Sequence, residues 1–386
     1  MVDADVAVVG AGTVGSLAAG ILAERGLRVL CFERFDVGHG RGGAGGGTRM
    51  FRIDHGPQAP PVEWILDAQE QWRRLEAVTS RRILLLRGGL WLGQRDGAFI
   101  QTQLAGAHQH GLPCQVLAPA EVERRFPPHR LAGDEVAVLD PGAGFIHTQA
   151  AVVSAVAYAT QCGATVLEQS PVSHLEAVAD GVRLRVGDRC WTAARVLVAA
   201  GAWVRHLIAG LSAELTVKRL VVAWAVADDP AAYRPDRFPV FIRSTPDADL
   251  TGWPTIDGRS VKVSQFAAVA DHVDPDQPPG PHHDVQAGLG AAVARFVPGL
   301  AGQLRTLFLP EAFTTTGRPI VGQVPGMAGV YVVAGLSGRG FKLAPVLARS
   351  AADAITADGH CRAPRPADAV SPAQPAAIGT AWQYAW

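Results

Sequence analysis

Within its first fifteen residues the chain passes from an apolar run, Asp5 to Val9, directly into Gly10-Ala11-Gly12-Thr13-Val14-Gly15. That order leaves few folds open. Gly10 permits a tight turn, Gly12 lets main chain approach a pyrophosphate, and Gly15 allows a helix to pack closely on a strand. A helical pattern through Leu17, Ile21 and Leu22 runs up to Gly26, and a second apolar run, Arg28 to Phe32, ends at Glu33. Together these make a βαβ unit of about thirty residues. A phosphate held there faces unpaired helix N–H groups and the positive end of the helix dipole. Glu33 closes the motif, because a carboxylate at a strand end accepts hydrogen bonds from ribose hydroxyls. The expectation is an α/β chain that binds a dinucleotide.

At 386 residues the chain exceeds the usual size of one domain, so two joined domains are expected. Its 35 basic and 35 acidic residues cancel, which argues against a nucleic-acid or membrane partner and for a small molecule. The apolar run before Gly10 is too short to span a bilayer or form a signal core, so a cytoplasmic protein is expected. Cys31, Cys114, Cys162, Cys190 and Cys361 form no CxxC pair and read as reduced thiols, without zinc or disulfide. Periodicity predicts helices over 60–79, 103–109, 119–125 and 148–162, and strands over 83–92 and 195–200. Residues 218–226 and 260–266 read as strands of a separate, mixed or antiparallel sheet. Near the other end, a strand from Gly329 to Ala334 enters Gly335-Leu336-Ser337-Gly338-Arg339-Gly340-Phe341-Lys342 and a helix through Leu343, Val346, Leu347 and Ala351. Glycine-rich junctions at both ends of the chain fit one long cofactor touched twice, FAD rather than NAD. No second GxGxxG follows a strand, so no separate nicotinamide site is expected.

Further motifs join these: Gly46-Gly47-Thr48-Arg49-Met50-Phe51-Arg52, Ala200-Gly201-Ala202-Trp203, and Gly252-Trp253-Pro254 with Lys262 downstream. From Val6 to about Ile355 the chain resembles the monomeric sarcosine oxidase and N-methyltryptophan oxidase branch of the D-amino-acid-oxidase-like flavoproteins. The resemblance implies a Rossmann-like FAD domain assembled from 1–85, 145–215 and 310–362, with an interleaved substrate domain from 86–144 and 216–309. Residues 363–386 would form a Pro/Ala-rich C-terminal tail. Implied too is oxidation of an amine or amino-acid carbon–nitrogen bond to an imine, with molecular oxygen as acceptor and hydrogen peroxide as product. Cofactor contacts are expected at Gly10, Gly12, Thr13, Val14, Gly15, Glu33, Arg34, Gly47, Thr48, Val172, Ala200, Gly201, Trp203, Gly335, Gly338, Gly340, Phe341 and Lys342.

By the same resemblance Arg49 lies close to the flavin, and Arg52 and Lys342 grip the substrate carboxylate. A guanidinium suits that task through its two parallel charge-assisted hydrogen bonds. Without the family, the arginines would read as solvated surface residues and Lys342 as a snorkelling side chain. Lys342 opens a helix, where the dipole disfavours a cation, so its placement asks for a reason. Lys262 alternates with Val261 and Val263 and is expected to point toward the flavin, where its charge would assist oxygen reduction. An edge-strand lysine in water is the plainer alternative.

The chain also departs from the family pattern. Glu311 stands ahead of Phe313-Thr314, where the family attaches its flavin through a cysteine, so FAD is expected to be non-covalent and Glu311 a surface residue near the ring. Gly45 and Phe266 replace histidines and Thr251 replaces a tyrosine; the expectation is a roomier, more apolar pocket for a substrate bulkier than sarcosine. His55, His147, His174, His282 and His283 show no metal or triad spacing. Three alternatives stay open: an FAD-dependent dehydrogenase, an NADPH-dependent flavin monooxygenase, and a flavin-holding electron-transfer subunit. The monooxygenase is disfavoured because Gly338-Arg339-Gly340 carries no acid. A monomer or weak homo-oligomer is expected.

Overall fold

The first strand, Ala4–Val9, sits in the parallel part of an eight-stranded sheet, between Val29–Phe32 and the end of Arg189–Val198, with Val172–Val178, Gly181–Val186 and Ile320–Gln323 added as antiparallel strands. Val29–Phe32 continues to Thr165–Leu167, and Val196 to Val198 pairs in parallel with Val330–Ala334. A parallel sheet covered on both faces needs unbroken apolar strands, and every position of Val330–Ala334 is buried. Successive side chains point to opposite faces. Val6 and Val8 therefore join one core with the helices Thr13–Glu24, Thr148–Gln161 and Gly340–Ala357, while Ala7 and Val9 join a second with the hairpin Val172–Val178 and Gly181–Val186. This computed structural model describes residues 2–56, 59–300 and 302–357; Cys361 and the expected tail lie outside the described residues.

A second sheet of eight strands runs in the order Arg305–Thr314, Leu215–Val226, Ser260–Ser264, Ala248–Trp253, Val240–Thr245, Gly89–Gln94, Glu135–Asp140 and Gln115–Leu117. Its pairings are antiparallel except between Val240–Thr245 and Gly89–Gln94, so the sheet is mixed. A small third sheet joins Thr48–Phe51, Gly144–His147 and Leu84–Leu86. The fold is thus α/β with a Rossmann-like sheet and a separate mixed sheet.

The single strand predicted over 83–92 is two. Gly88 has φ +92°, a turn that only glycine enters freely, and its N–H donates to Ala143 O; Leu84–Leu86 and Gly89–Gln94 consequently belong to different sheets. The predicted boundary at 310 falls inside the unbroken strand Arg305–Thr314. The helix Val62–Thr79 lies against Gly340–Ala357 through Trp72, stacked on Phe341 at 6.0 Å, and the indole N–H donates to Lys342 O at 3.0 Å. That contact fixes the first turn from which Lys342 projects.

Candidate active site

A cavity of about 440 Å³ lies along the carboxyl ends of the parallel strands, where open α/β sheets bind their ligands. Gly10, Gly12, Thr13 and Val14 line it; Gly15 lies behind, where a Cβ would meet Gly10 O at 1.8 Å. A Cβ on Gly10 would strike Ala199 O at 2.7 Å, whereas one on Gly12 would meet nothing within 4 Å. The space before Gly12 is therefore free for a ligand, as a pyrophosphate cradle requires. Glu33 accepts hydrogen bonds from Ala11 N–H at 2.8 Å and Phe35 N–H at 2.9 Å, which fixes its carboxylate at the strand end.

Val172, Ala200, Gly201, Trp203 and Arg34 complete this end. Asp276, absent from the sequence-based expectations, accepts from Trp203 Nε1 at 2.8 Å and pairs with Arg34 at 3.0 Å. It comes from a loop after the Ser260–Ser264 strand, and no local pattern announces a contact so distant in sequence. His206, Asp274 and Asp276 also bring ligand atoms within 4.8 Å of one another. All three are exposed, and no metal is assigned to them.

At the opposite end Gly335, Gly338 and Phe341 line the cavity, with Gly340 packed beneath Leu336. Glu311 lines it as well, accepting from Gly338 N–H at 2.7 Å, so the expected surface residue is half-buried in the cavity wall. Burial raises its carboxyl, opposed by the Arg49 guanidinium and the Gly338 N–H. Arg49 also lines the cavity, donating to Gly45 O at 2.6 Å, Gly43 O at 2.7 Å and Thr48 O at 2.8 Å. Three carbonyls thus hold its planar fork in one orientation.

Gly47 and Thr48 do not line the cavity; they form its support. Lys262, 3% exposed, donates to Thr48 O at 2.5 Å and Gly46 O at 3.3 Å, with its ammonium 3.8 Å from the centre of the Trp253 ring. It is not solvated, and it lies behind the segment that carries Arg49. Burial, then the nearby Arg49, pushes its pKa well below the ordinary lysine value.

Arg52 and Lys342 converge, as expected, but on a third residue that sequence reasoning missed. Asp54 pairs through Oδ1 with Arg52 Nη2 at 2.9 Å and through Oδ2 with Lys342 Nζ, which also donates to Arg52 O at 3.2 Å. Trp91 lies under the guanidinium at 5.4 Å, and Gln103 Oε1 accepts from Arg52 Nη1 at 3.5 Å. Burial raises the Asp54 carboxyl, but Arg52 and Lys342 outweigh it and hold the group well below the carboxylate range. Burial lowers Lys342 to about 8 against the opposite pull of Asp54. The missed signal was local: Arg52 and Asp54 sit two apart, so extended chain puts them on one side.

Three pocket expectations are corrected. Gly45 opens no space, since a Cβ there would sit 2.3 Å from Gly40 O and 2.7 Å from Leu309 Cδ2; the Gly40 main chain and the Leu309 side chain already fill the volume. Phe266 is 55% exposed beyond the strand end, its N–H donating to Asp249, and makes no cavity wall. Thr251 is buried with its hydroxyl donated to Ser264 O at 3.2 Å, inside the sheet rather than toward a ligand.

The parallel sheet, the open cradle at Gly12 and the Glu33 carboxylate together define a dinucleotide-binding protein. More narrowly, the chain belongs to the FAD dependent oxidoreductase (DAO) family, whose model matches residues 5–354. Monomeric sarcosine oxidase of Streptomyces avermitilis is 31% identical over 359 residues, covering 90% of this chain and 92% of that one. N-methyl-L-tryptophan oxidase of Yersinia pestis is 29% identical over 352 residues, covering 91% and 94%. Among solved structures, NikD, described as an unusual amino acid oxidase essential for nikkomycin biosynthesis, superposes with a TM-score of 0.82 at 25% identity, over 94% of this chain and 96% of that one. The residues present fit FAD: the glycine cradle, Glu33, and the late junction at Gly335 to Phe341 border one continuous cavity.

Proposed function

We propose that this protein oxidises the carbon–nitrogen bond of an amino acid or related amine to an imine, with non-covalent FAD and molecular oxygen, releasing hydrogen peroxide. The observation that carries the reading is the convergence of Arg52 and Lys342, from opposite ends of the chain, beside a dinucleotide cavity. A guanidinium and an ammonium brought together form a strong carboxylate site: they already hold the Asp54 carboxylate, one oxygen each, and a substrate carboxylate presents the same two oxygens. Bound FAD supplies the acceptor for the hydride equivalent leaving the carbon next to nitrogen, and passes the electrons to oxygen.

The protein's own part is to bind, orient and set charge. Arg52 and Lys342 hold the carboxylate, and Arg49, fixed by three carbonyls, presents positive charge at the cavity wall. Lys262, with its lowered pKa, is a group that takes up a proton when negative charge forms nearby, which suits it to oxygen reduction. Glu311 cannot form a thioether, which supports a dissociable cofactor. With Gly45 closed and Phe266 outside, the argument for a bulkier substrate loses its footing, and the proposal names α-amino carboxylates without a size preference.

The four described cysteines are unpaired, which suits a reducing compartment, and no described helix is long and apolar enough to cross a membrane; the same reading takes the protein as a monomer or weak homo-oligomer of the cytoplasm. The division into a cofactor domain of 1–85, 145–215 and 310–362 and a substrate domain between them is part of the same reading. The test is a peroxide screen of the purified yellow protein against N-methyl amino acids, cyclic imino acids and primary amino acids. Peroxide from at least one class is expected, with flavin released on denaturation. Reduction of the flavin by NADPH, with no amine turned over, would replace this reading with the monooxygenase.

A further inference from the structure

We propose that Asp54 is the resident anion of the carboxylate clamp: a carboxylate substrate binds by exchanging with it, and small carboxylates are thereby kept out. This rests on the reading that Arg52 and Lys342 hold the substrate. Asp54 gives one oxygen to each cation, Oδ1 to Arg52 Nη2 at 2.9 Å and Oδ2 to Lys342 Nζ. That is the arrangement an incoming carboxylate would take. Asp54 is 5% exposed and lies three residues past the Thr48–Phe51 strand, outside helix and strand, so a change of its rotamer breaks no ladder or helix. Neither Arg52 nor Lys342 lines the 440 Å³ cavity, although Phe341, the neighbour of Lys342, does. Arg52, Lys342 and Asp54 thus pair beside that cavity rather than within its lining.

Exchange of one carboxylate for another leaves no buried cation unpaired, which avoids the main penalty of opening a buried ion pair. A tethered carboxylate acts at an effective concentration on the order of millimolar or above. Acetate, with nothing else to hold it, loses that competition; a substrate that also packs its side chain and amine wins it. Asp54 on this account determines specificity by demanding more than a carboxylate.

The experiment titrates flavin-loaded wild type, Asp54→Ala and Asp54→Asn with acetate and propionate, and with chloride as the ionic control, by calorimetry and by melting temperature at pH 7. Both variants should bind acetate at least about tenfold more tightly, as expected for a clamp otherwise free a tenth of the time. Acetate should raise their melting temperatures and leave wild type unmoved. Where Asp54→Ala needs acetate to stay folded, that rescue is itself the expected result, and Asp54→Asn, with near-equal shape and no charge, supplies the affinity. Equal or weaker carboxylate binding in Asp54→Asn would overturn the exchange and leave Asp54 as a positioning residue for Arg52. The readout is binding at equilibrium, so a protein that makes no peroxide from any amine sinks the oxidase reading alone. An oxidase with unchanged acetate affinity in both variants sinks this proposal alone.

Discussion

At the nucleotide end of the cavity the ligand-facing surface from Gly10 to Val14 is largely main chain, with the Glu33 carboxylate fixed beside it by two backbone N–H groups. Arg49 and Glu311 line the other end, with Lys262 behind the segment that carries Arg49 and the Arg52, Asp54 and Lys342 cluster beside Phe341, and five of these six have displaced pKa values with burial as the first cause. The nucleotide end is set largely by main-chain conformation. The charged end is held by pairing, and its two lysines show how far pairing matters. Lys342 meets a carboxylate and settles at about 8, whereas Lys262 has carbonyls and a ring face and falls well below the ordinary lysine value. The glycine cradle is therefore open to disruption by added volume, the charged end by loss of a single charge.

The largest effect should come from volume. Gly15→Ala places a Cβ 1.8 Å from Gly10 O, backbone against backbone, and is expected to cost about 1–3 kcal/mol of stability together with flavin retention. Gly12→Ala meets nothing in the protein, so its apoprotein should melt within about 1 kcal/mol of the parent while its flavin-to-protein absorbance ratio falls. If Gly12→Ala holds FAD as well as the parent, the cradle is not where the cofactor's phosphates lie.

The same contrast explains what was legible in the sequence. Gly10, Gly12, Gly15 and Glu33 act through local conformation and a fixed spacing, and each sits where the motif put it. Arg52 and Lys342 were found through family resemblance, but Asp54 was not: its two-residue spacing from Arg52 was a local sign, while its pairing with Lys342, nearly 290 residues away, leaves no periodic trace. Gly45 was misjudged for a related reason: a missing side chain reads as free space until Gly40 and Leu309 are seen to fill it. Phe266 and Thr251 were assigned by family resemblance, which does not say where a replaced side chain settles: Phe266 falls two residues beyond the Ser260–Ser264 strand and Thr251 bonds within the sheet.

Next in size is Lys262→Met. Removing the group that takes up a proton as negative charge forms should slow reaction of the reduced enzyme with oxygen by about 100-fold or more, with amine-driven reduction changed far less. Stability should move the other way. The folded pKa of Lys262 lies below its unfolded value, so the unfolded chain binds the extra proton, and this group's contribution to stability falls as pH drops from about 10.5 toward the folded pKa. Methionine removes that slope, and the variant should melt higher than the parent at neutral pH. Stopped-flow half-reactions and melting curves against pH measure the two arms; an oxygen reaction of unchanged rate ends the assignment of Lys262.

The smallest effect, and the one that tests pairing most directly, is the pH dependence of the clamp. Above about 8 the Lys342 ammonium loses its proton, so affinity for a carboxylate ligand should weaken by up to about tenfold per pH unit, while Asp54 stays ionised throughout. Folding stability should run opposite over the same window, since between about 8 and 10.5 the unfolded chain holds a proton that the folded chain has released, and the contribution of Lys342 rises with pH. Lys342→Gln should bind carboxylate weakly at every pH and lose the high-pH limb. Asp54→Asn removes the group that raises the lysine, so the midpoint of that limb should move below 8. A midpoint that stays put in Asp54→Asn would mean that the two side chains do not share a charge in solution, and the contrast between a paired and an unpaired lysine would fail with it.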